Sequence, residues 1–151
     1  MTKVVFVVFI KDGKLLVVKS VRSAKQNLYT LVGGTLEEGE TLLEGAVREV
    51  KEEVSQDFNI KQLDLKPLFQ FVEPAASDPE LIIEINVLLS KKEIDVEMNP
   101  DLEILDYKWI DVDDKETNLS STITNYVIPW MKENKNDWQW LGRKIKSYLG
   151  K

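Results

Sequence analysis

The sequence predicts one mixed α/β domain of the α+β kind, with strands interleaved with two helical regions over residues 1–151. Three observations lead there. Apolar, β-branched runs recur at residues 4–10 and 81–89. Residues 41–54 carry a helix-start signal followed by apolar residues at helical spacing. No repeat, low-complexity tract or linker divides the 151 residues, a length that suits one domain with a substantial core.

The elements follow in order. A first strand at 4–10 leads to Asp12-Gly13, a hairpin pair, and a return strand at 15–18. Residues 20–26 are polar and basic and predict a loop. Residues 28–32 predict a short strand ending at Gly33-Gly34, and residues 35–40, rich in Gly and Glu, a second loop. Thr41 and Glu44 have capping-box spacing, each able to satisfy an orphan backbone donor at a helix start. Leu43, Val47, Val50 and Val54, with Leu42 and Ala46 beside them, make the apolar stripe of a helix that ends over 55–59. Residues 65–72 and 81–89 predict strands, the second apolar enough to lie inside a sheet, with a loop at 73–79 between them. An acidic connection at 95–101 contains Pro100, and residues 107–110 predict a short strand. Ser120 or Ser121 caps a helix that Pro129 kinks or breaks, and a further helix is expected over about 136–149.

Composition excludes several chemistries. Zero cysteines remove disulfide scaffolds, thiol catalysis and cysteine zinc sites, and zero histidines remove histidine-based triads and metal sites. No apolar run approaches the roughly 20 residues of a membrane span. The start of the chain lacks a small-residue cleavage site, so a strand rather than a signal peptide is expected there, and a cytoplasmic location by default. The net charge of −6 disfavours a nucleic-acid duplex as partner. Its distribution is uneven: residues 1–33 carry six basic groups and one acidic, residues 34–56 seven acidic and two basic. An anionic substrate at the acidic block would need a cation between them.

The densest chemistry is the hexapeptide Arg48-Glu49-Val50-Lys51-Glu52-Glu53. Glu49, Glu52 and Glu53 stand at i, i+3 and i+4, which places three carboxylates on one helix face about a turn apart. Such a face is either a solvated acidic surface supported by Arg48 and Lys51, or a set of hard oxygen ligands for a divalent cation. Gly33-Gly34 just before the acidic loop, and Glu40 just before the helix, favour the second reading, since a backbone carbonyl there can join the carboxylates.

With these residues in place the chain resembles the Nudix (MutT-like) hydrolase family. Gly34, Glu40, Arg48, Glu49, Val50, Glu52 and Glu53 fall at seven of the nine defined positions of its 23-residue box. Ser55 stands for the late glycine and Gln56 for the last aliphatic residue. A left-handed helix end would cost Ser about 1 kcal/mol. Val32 replaces a proline common before the Gly-Gly.

The resemblance implies a mixed sheet sandwiched between helices, one Nudix domain over 1–151, and Mg²⁺- or Mn²⁺-dependent hydrolysis of a nucleoside diphosphate linked to another group. Glu49, Glu52 and Glu53 become metal ligands, with a backbone carbonyl from Gly34. Without histidine the general base is a carboxylate or a metal-bound hydroxide, Glu52 and Glu53 being candidates. Arg48 and Glu40 hold the loop against the helix. Glu103, six residues before Trp109, matches a further glutamate that similar proteins carry, and is expected as an additional ligand or base. Its rival Glu84 is expected on the solvent face of an edge strand. Lys19 and Arg22 are expected to contact phosphate, and Trp109 to sit in the core.

Tyr126, Trp130, Trp138, Trp140 and Tyr148 are expected mostly to pack a helix onto the sheet, one or two being available for base stacking or a homodimer surface. The alternative function is a non-catalytic Nudix-fold nucleotide-binding or regulatory module, which the retention of all three glutamates disfavours. A diphosphate-lipid isomerase on this fold generally needs a reactive cysteine, absent here, and the EF-hand pattern of a calcium helix is missing. Phe71 and the stretch Val72-Glu73-Pro74 lack the markers of adenosine-diphosphoribose and diadenosine-polyphosphate hydrolases. By size the chain looks most like the nucleoside-triphosphate cleaving members.

Overall fold

The computed structural model describes residues 1–75 and 78–135. In chain order these form β1 (Thr2–Val8), β2 (Ile10–Lys11), β3 (Lys14–Ser20), α1 (Val21–Ala24), β4 (Val32–Thr35), α2 (Leu42–Glu53), a 3₁₀ turn (Gln62–Asp64), β5 (Leu65–Ala75), β6 (Asp78–Ser90), β7 (Ile104–Ile110), a π-helical turn (Ile123–Val127) and α3 (Ile128–Glu133). The fold is mixed α+β. The chain gathers into two compact units: residues 1–8 with 32–101, and residues 9–31 with those from 102 onward.

The first unit holds a four-stranded sheet in the order β4-β1-β6-β5. β1 runs parallel to β6 and antiparallel to β4, and β5 is antiparallel to β6, so the sheet is mixed. β6 lies inside, as its apolar run requires, and Ile85 to Leu89 are buried. This corrects the placing of Glu84 on an edge strand. Glu84 is half-buried, and its Oε2 accepts from Asn86 Nδ2 at 3.1 Å. The predicted loop at 73–79 is also mostly strand, because β5 and β6 stay paired out to Ala75 and Asp78. Pro67 and Pro74 are tolerated because β5 is an edge.

α2 begins as its sequence dictates. Thr41 Oγ1 accepts from Glu44 N at 3.1 Å, and Glu44 Oε1 accepts from Thr41 N at 3.0 Å. Ala46, Val50 and Val54 are fully buried, while Leu43 and Val47 are half-buried. Each fully buried valine contributes roughly 1.5–3 kcal/mol of apolar transfer, an upper range. The helix end differs from expectation. Among the described residues Asp12 and Asn27 are the non-glycine residues with positive φ, so Ser55 is not left-handed and bears no such cost. Its buried hydroxyl accepts from Asp57 N at 3.1 Å. The carbonyls of Glu52 and Val54 are taken by the N–H groups of Asp101 and Asn99, at 2.8 and 2.7 Å.

The second unit holds the antiparallel sheet β2-β3-β7. Asp12 (φ 52°) and Gly13 (φ 79°) make the turn that pairs Lys11 with Lys14, as the hairpin signal predicts. The predicted loop at 20–26 contains a helical turn, because Ser20 and Ser23 form a capping box over α1. The strand predicted at 28–32 divides: Thr30 pairs with Val18 here, whereas Val32–Thr35 pairs with β1 in the first unit. Gly33-Gly34 therefore lies within a strand. The helix expected after Ser120 or Ser121 does start at residue 121, where Thr124 N donates to Ser120 O, and its backbone then widens to a π turn in which Ile128 N donates to Ile123 O. Pro129, which lacks an N–H, follows in the first turn of α3, where none is needed. The helix expected at 136–149, with Trp138, Trp140 and Tyr148, lies outside the described residues. No helix among the described residues is long and apolar enough to cross a membrane.

Candidate active site

The site is built in the first unit, where the Gly-Gly strand meets α2. Gly33 has φ +147° and lies so close to β1 that a Cβ would stand 2.0 Å from Val5 O. Only glycine lets β4 approach there. At Gly34 a Cβ would fall 2.6 Å from Glu49 Oε1, so the strand backbone lies directly against that carboxylate. Glu53 reaches the same strand: its Oε1 accepts from Gly33 N at 2.9 Å.

Arg48 organises the remaining carboxylates. Its Nε and Nη2 donate to the two oxygens of Glu40 at 2.7 and 2.9 Å, a bidentate fork. Nη1 donates to Glu49 Oε1 at 3.0 Å and to Glu52 Oε1 at 3.4 Å. Nη2 also donates to Thr35 O at 3.2 Å, and Glu37 lies 3.6 Å from Nε. Glu37 N donates to Glu40 Oε1 at 2.9 Å. The guanidinium thus ties the loop at 35–40 to the middle of α2.

The electrostatics oppose one another. The hydrogen bond from Arg48 draws the Glu40 carboxyl down from 4.5 to about 2. Burial pushes Glu49 upward, with Arg48 acting against it. Because the folded value of Glu40 lies below its unfolded value, its pairing stabilises the fold fully above pH 4.5 and loses that effect as pH falls toward 2. Glu40→Gln is expected to flatten this part of the acid limb of stability, read as urea midpoints against pH. An acid limb as steep as that of the parent chain would show that other groups carry it.

Glu103, Lys19 and Arg22 belong to the second unit. Glu103 is exposed, and its carbonyl accepts from Val21 N at 2.8 Å. Lys19 Nζ donates to Asn27 Oδ1 at 3.0 Å and lies 4.7 Å from the Tyr29 ring centroid. Arg22 is exposed on α1, and Trp109 is half-buried in β7. Sequence reasoning missed Tyr29, whose hydroxyl donates to Asp106 and is pushed up to about 12 by that bond. It also missed the cap that Asn99 and Asp101 place on α2. Neither leaves a local signal: Tyr29 and Asp106 are 77 residues apart, and a backbone N–H belongs to almost any residue.

Among the described residues no three carboxylates converge as a preformed ion site. Glu49 and Glu52 are turned to Arg48, and Glu53 to Gly33. The donor set still fits a hard divalent cation: oxygen ligands only, from residues 49, 52 and 53 of one helix, beside a strand whose backbone touches Glu49.

An acidic helix face laid against a Gly-Gly strand offers the hard oxygen donors that metal-assisted hydrolysis of a phosphate-bearing substrate uses. Comparison with known proteins supplies the family. A family model described as NUDIX domain matches residues 1–131, and the chain belongs to that family. Its members generally use a divalent metal and act on small nucleotide substrates.

The fold is shared with a MutT NUDIX hydrolase from Burkholderia pseudomallei (TM-score 0.70, 18% identity, covering 85% of this chain and 95% of that one). A MutT/nudix family protein from Enterococcus faecalis matches at TM-score 0.69 and 17% identity over 89% of this chain, which spans 62% of that protein's length. An ADP-ribose pyrophosphatase from Streptococcus suis matches at TM-score 0.57 and 16% identity, over 88% of this chain and 92% of that one. At these identities the likeness is one of fold. No curated protein sequence matches the chain.

Proposed function

We propose that residues 1–151 form a single Nudix domain that hydrolyses a nucleoside diphosphate linked to another group, a nucleoside triphosphate being the first candidate. The observation that carries this reading is Arg48 Nη1 reaching Glu49 and Glu52 together, one turn apart and against the Gly34 strand. Glu49, Glu52, Glu53 and the Gly34 carbonyl are the residues that would hold Mg²⁺ or Mn²⁺, with Glu103 added. Such an ion neutralises polyphosphate charge and makes water more acidic. Water oxygen attacks one phosphorus, the bond from that phosphorus to the bridging oxygen breaks, and the leaving phosphate keeps the electron pair. A carboxylate of Glu52, Glu53 or Glu103 takes the water proton. Lys19 and Arg22 contact phosphate oxygens in this reading, while Glu40 and Arg48 keep the loop and helix in register. The proposal includes a cytoplasmic substrate pool and a homodimer, the latter checked by sedimentation.

A panel of nucleoside triphosphates, nucleotide sugars and dinucleoside polyphosphates, scored for released phosphate or pyrophosphate, tests the reading. Turnover is expected with Mg²⁺ or Mn²⁺, loss with EDTA, and recovery with excess Mg²⁺. Full activity after exhaustive chelation would remove the metal role. Nucleotide binding without turnover would instead identify a regulatory module.

The outside carboxylate is assigned to Glu103 rather than Glu84. Glu103 is exposed, whereas Glu84 is tied to Asn86, which also donates to Val4 O and accepts from Gln70. An unburied carboxylate can close on substrate and withdraw. Glu103→Gln is expected to lower kcat at saturating Mg²⁺ by about 10-fold or more, with stability changed by less than about 1 kcal/mol. Glu84→Gln should leave kcat nearly intact, and the reverse pair of results would move the role to Glu84.

A further inference from the structure

We propose that the backbone of Asn99 and Asp101 is a positioning clasp for the ligand-bearing end of α2, so that divalent-cation binding at Glu52 and Glu53 and order in residues 99–101 reinforce each other. The proposal rests on the metal reading above.

The clasp is made of two bonds. Asp101 N donates to Glu52 O at 2.8 Å, and Asn99 N donates to Val54 O at 2.7 Å. Ser55 and Asn99 also form an isolated parallel bridge. The last carbonyls of a helix have no partner within it and carry the negative end of the helix dipole. α2 places Glu49, Glu52 and Glu53 in its final turns, where that dipole disfavours anions. Two N–H groups on these carbonyls offset part of the partial charge. They also stop the last turn from fraying, which would move the Glu52 and Glu53 side chains together.

A glycine in the left-handed conformation is the usual way to finish such a helix, but this chain has Ser55 without positive φ. The termination is delegated to a segment more than 40 residues away in sequence, which contains Pro100 and leads on to Glu103. Groups that hold metal ligands in place typically contribute 10- to 100-fold to metal affinity. Linkage then makes the effect reciprocal: the factor by which the clasp tightens the ion is the factor by which the ion protects the clasp.

Two proline substitutions remove the donors while also fixing φ, and the matching alanine substitutions control for the lost side chains. In the full chain titrated with Mn²⁺ as the only probe, read by water-proton relaxation, Asp101→Pro is expected to raise Kd by about 10-fold or more. Asp101→Ala, which keeps the N–H, should stay within about twofold. Asn99→Pro and Asn99→Ala should repeat the contrast. A proline variant that loses stability but keeps the parent Kd would make the contact a plain helix cap and overturn the proposal.

Hydrogen exchange in the unaltered chain decides the matter if the proline variants do not fold. The Asn99 and Asp101 amides should exchange about 10-fold more slowly in saturating Mg²⁺. Unchanged rates would overturn the clasp. An unaltered chain that takes up no Mn²⁺ at all would instead overturn the functional reading and this inference with it.

Discussion

Glu53→Gln is expected to lower kcat by at least about 100-fold, equivalent to roughly 2.7 kcal/mol of lost transition-state stabilisation. The substitution isolates charge. The Gln amide oxygen can still accept the Gly33 N–H that Glu53 now receives at 2.9 Å, so β4 and α2 stay joined. What disappears is the negative charge that the proposed function assigns to holding the divalent ion. The urea midpoint should therefore move little while turnover at saturating Mg²⁺ collapses. Lys51→Gln, two residues away on the same helix, should leave kcat within about twofold, as expected for a surface change. Small and equal effects from both substitutions would return the helix to the reading of a solvated acidic face.

Arg48→Met should have the largest effect on stability, about 3 kcal/mol. Methionine keeps the unbranched stem and a good helix propensity but removes every donor. The Glu40 and Glu49 side chains, 12% and 11% exposed, would lose their cation in a setting where water replaces it poorly. Arg48→Lys should recover only part of the loss, because a point charge cannot serve both Glu40 oxygens and the Thr35 carbonyl. Combining Arg48→Met with Glu40→Gln should cost less than the sum of the two single changes, since the second removes the charge that the first orphans. Urea unfolding of the four proteins measures this. Strict additivity, or a cost for Arg48→Met below about 0.5 kcal/mol, would mean that the guanidinium is a surface ornament of the helix.

Legibility in the sequence followed the distance between partners. The helix at 42–53 was readable because Thr41 and Glu44 cap it from three residues apart, and the first hairpin because Asp12-Gly13 encodes its own turn. Helical spacing alone put Glu49, Glu52 and Glu53 on one face, whereas the Glu40–Arg48 pairing was an implication of the family resemblance, and the structure shows it as a bidentate fork. Features set by distant segments were not readable. Glu84 looked like a solvent-facing residue because neither Asn86's bonds nor the parallel pairing of β1 with β6 is written into its own strand. Residues 28–32 looked like one strand because the switch from Val18 to β1 as partner depends on tertiary packing. Ser55 looked like a strained helix end because its relief comes from residues 99 and 101.

The pairing of β1 also sets a timetable for synthesis. Val5 needs Gly34 on one side and Asn86 on the other, and Val8 meets Leu89. One edge of this valine-rich strand can be covered once residue 35 has left the ribosome, but the other stays open until residue 89 has emerged too. At about 5–20 residues per second, the nascent chain carries an exposed, aggregation-competent β edge for roughly 3–11 seconds. Lys3 and Lys11, on either side of the run, are charges of the kind that keep such an edge from pairing with a neighbour's during that interval.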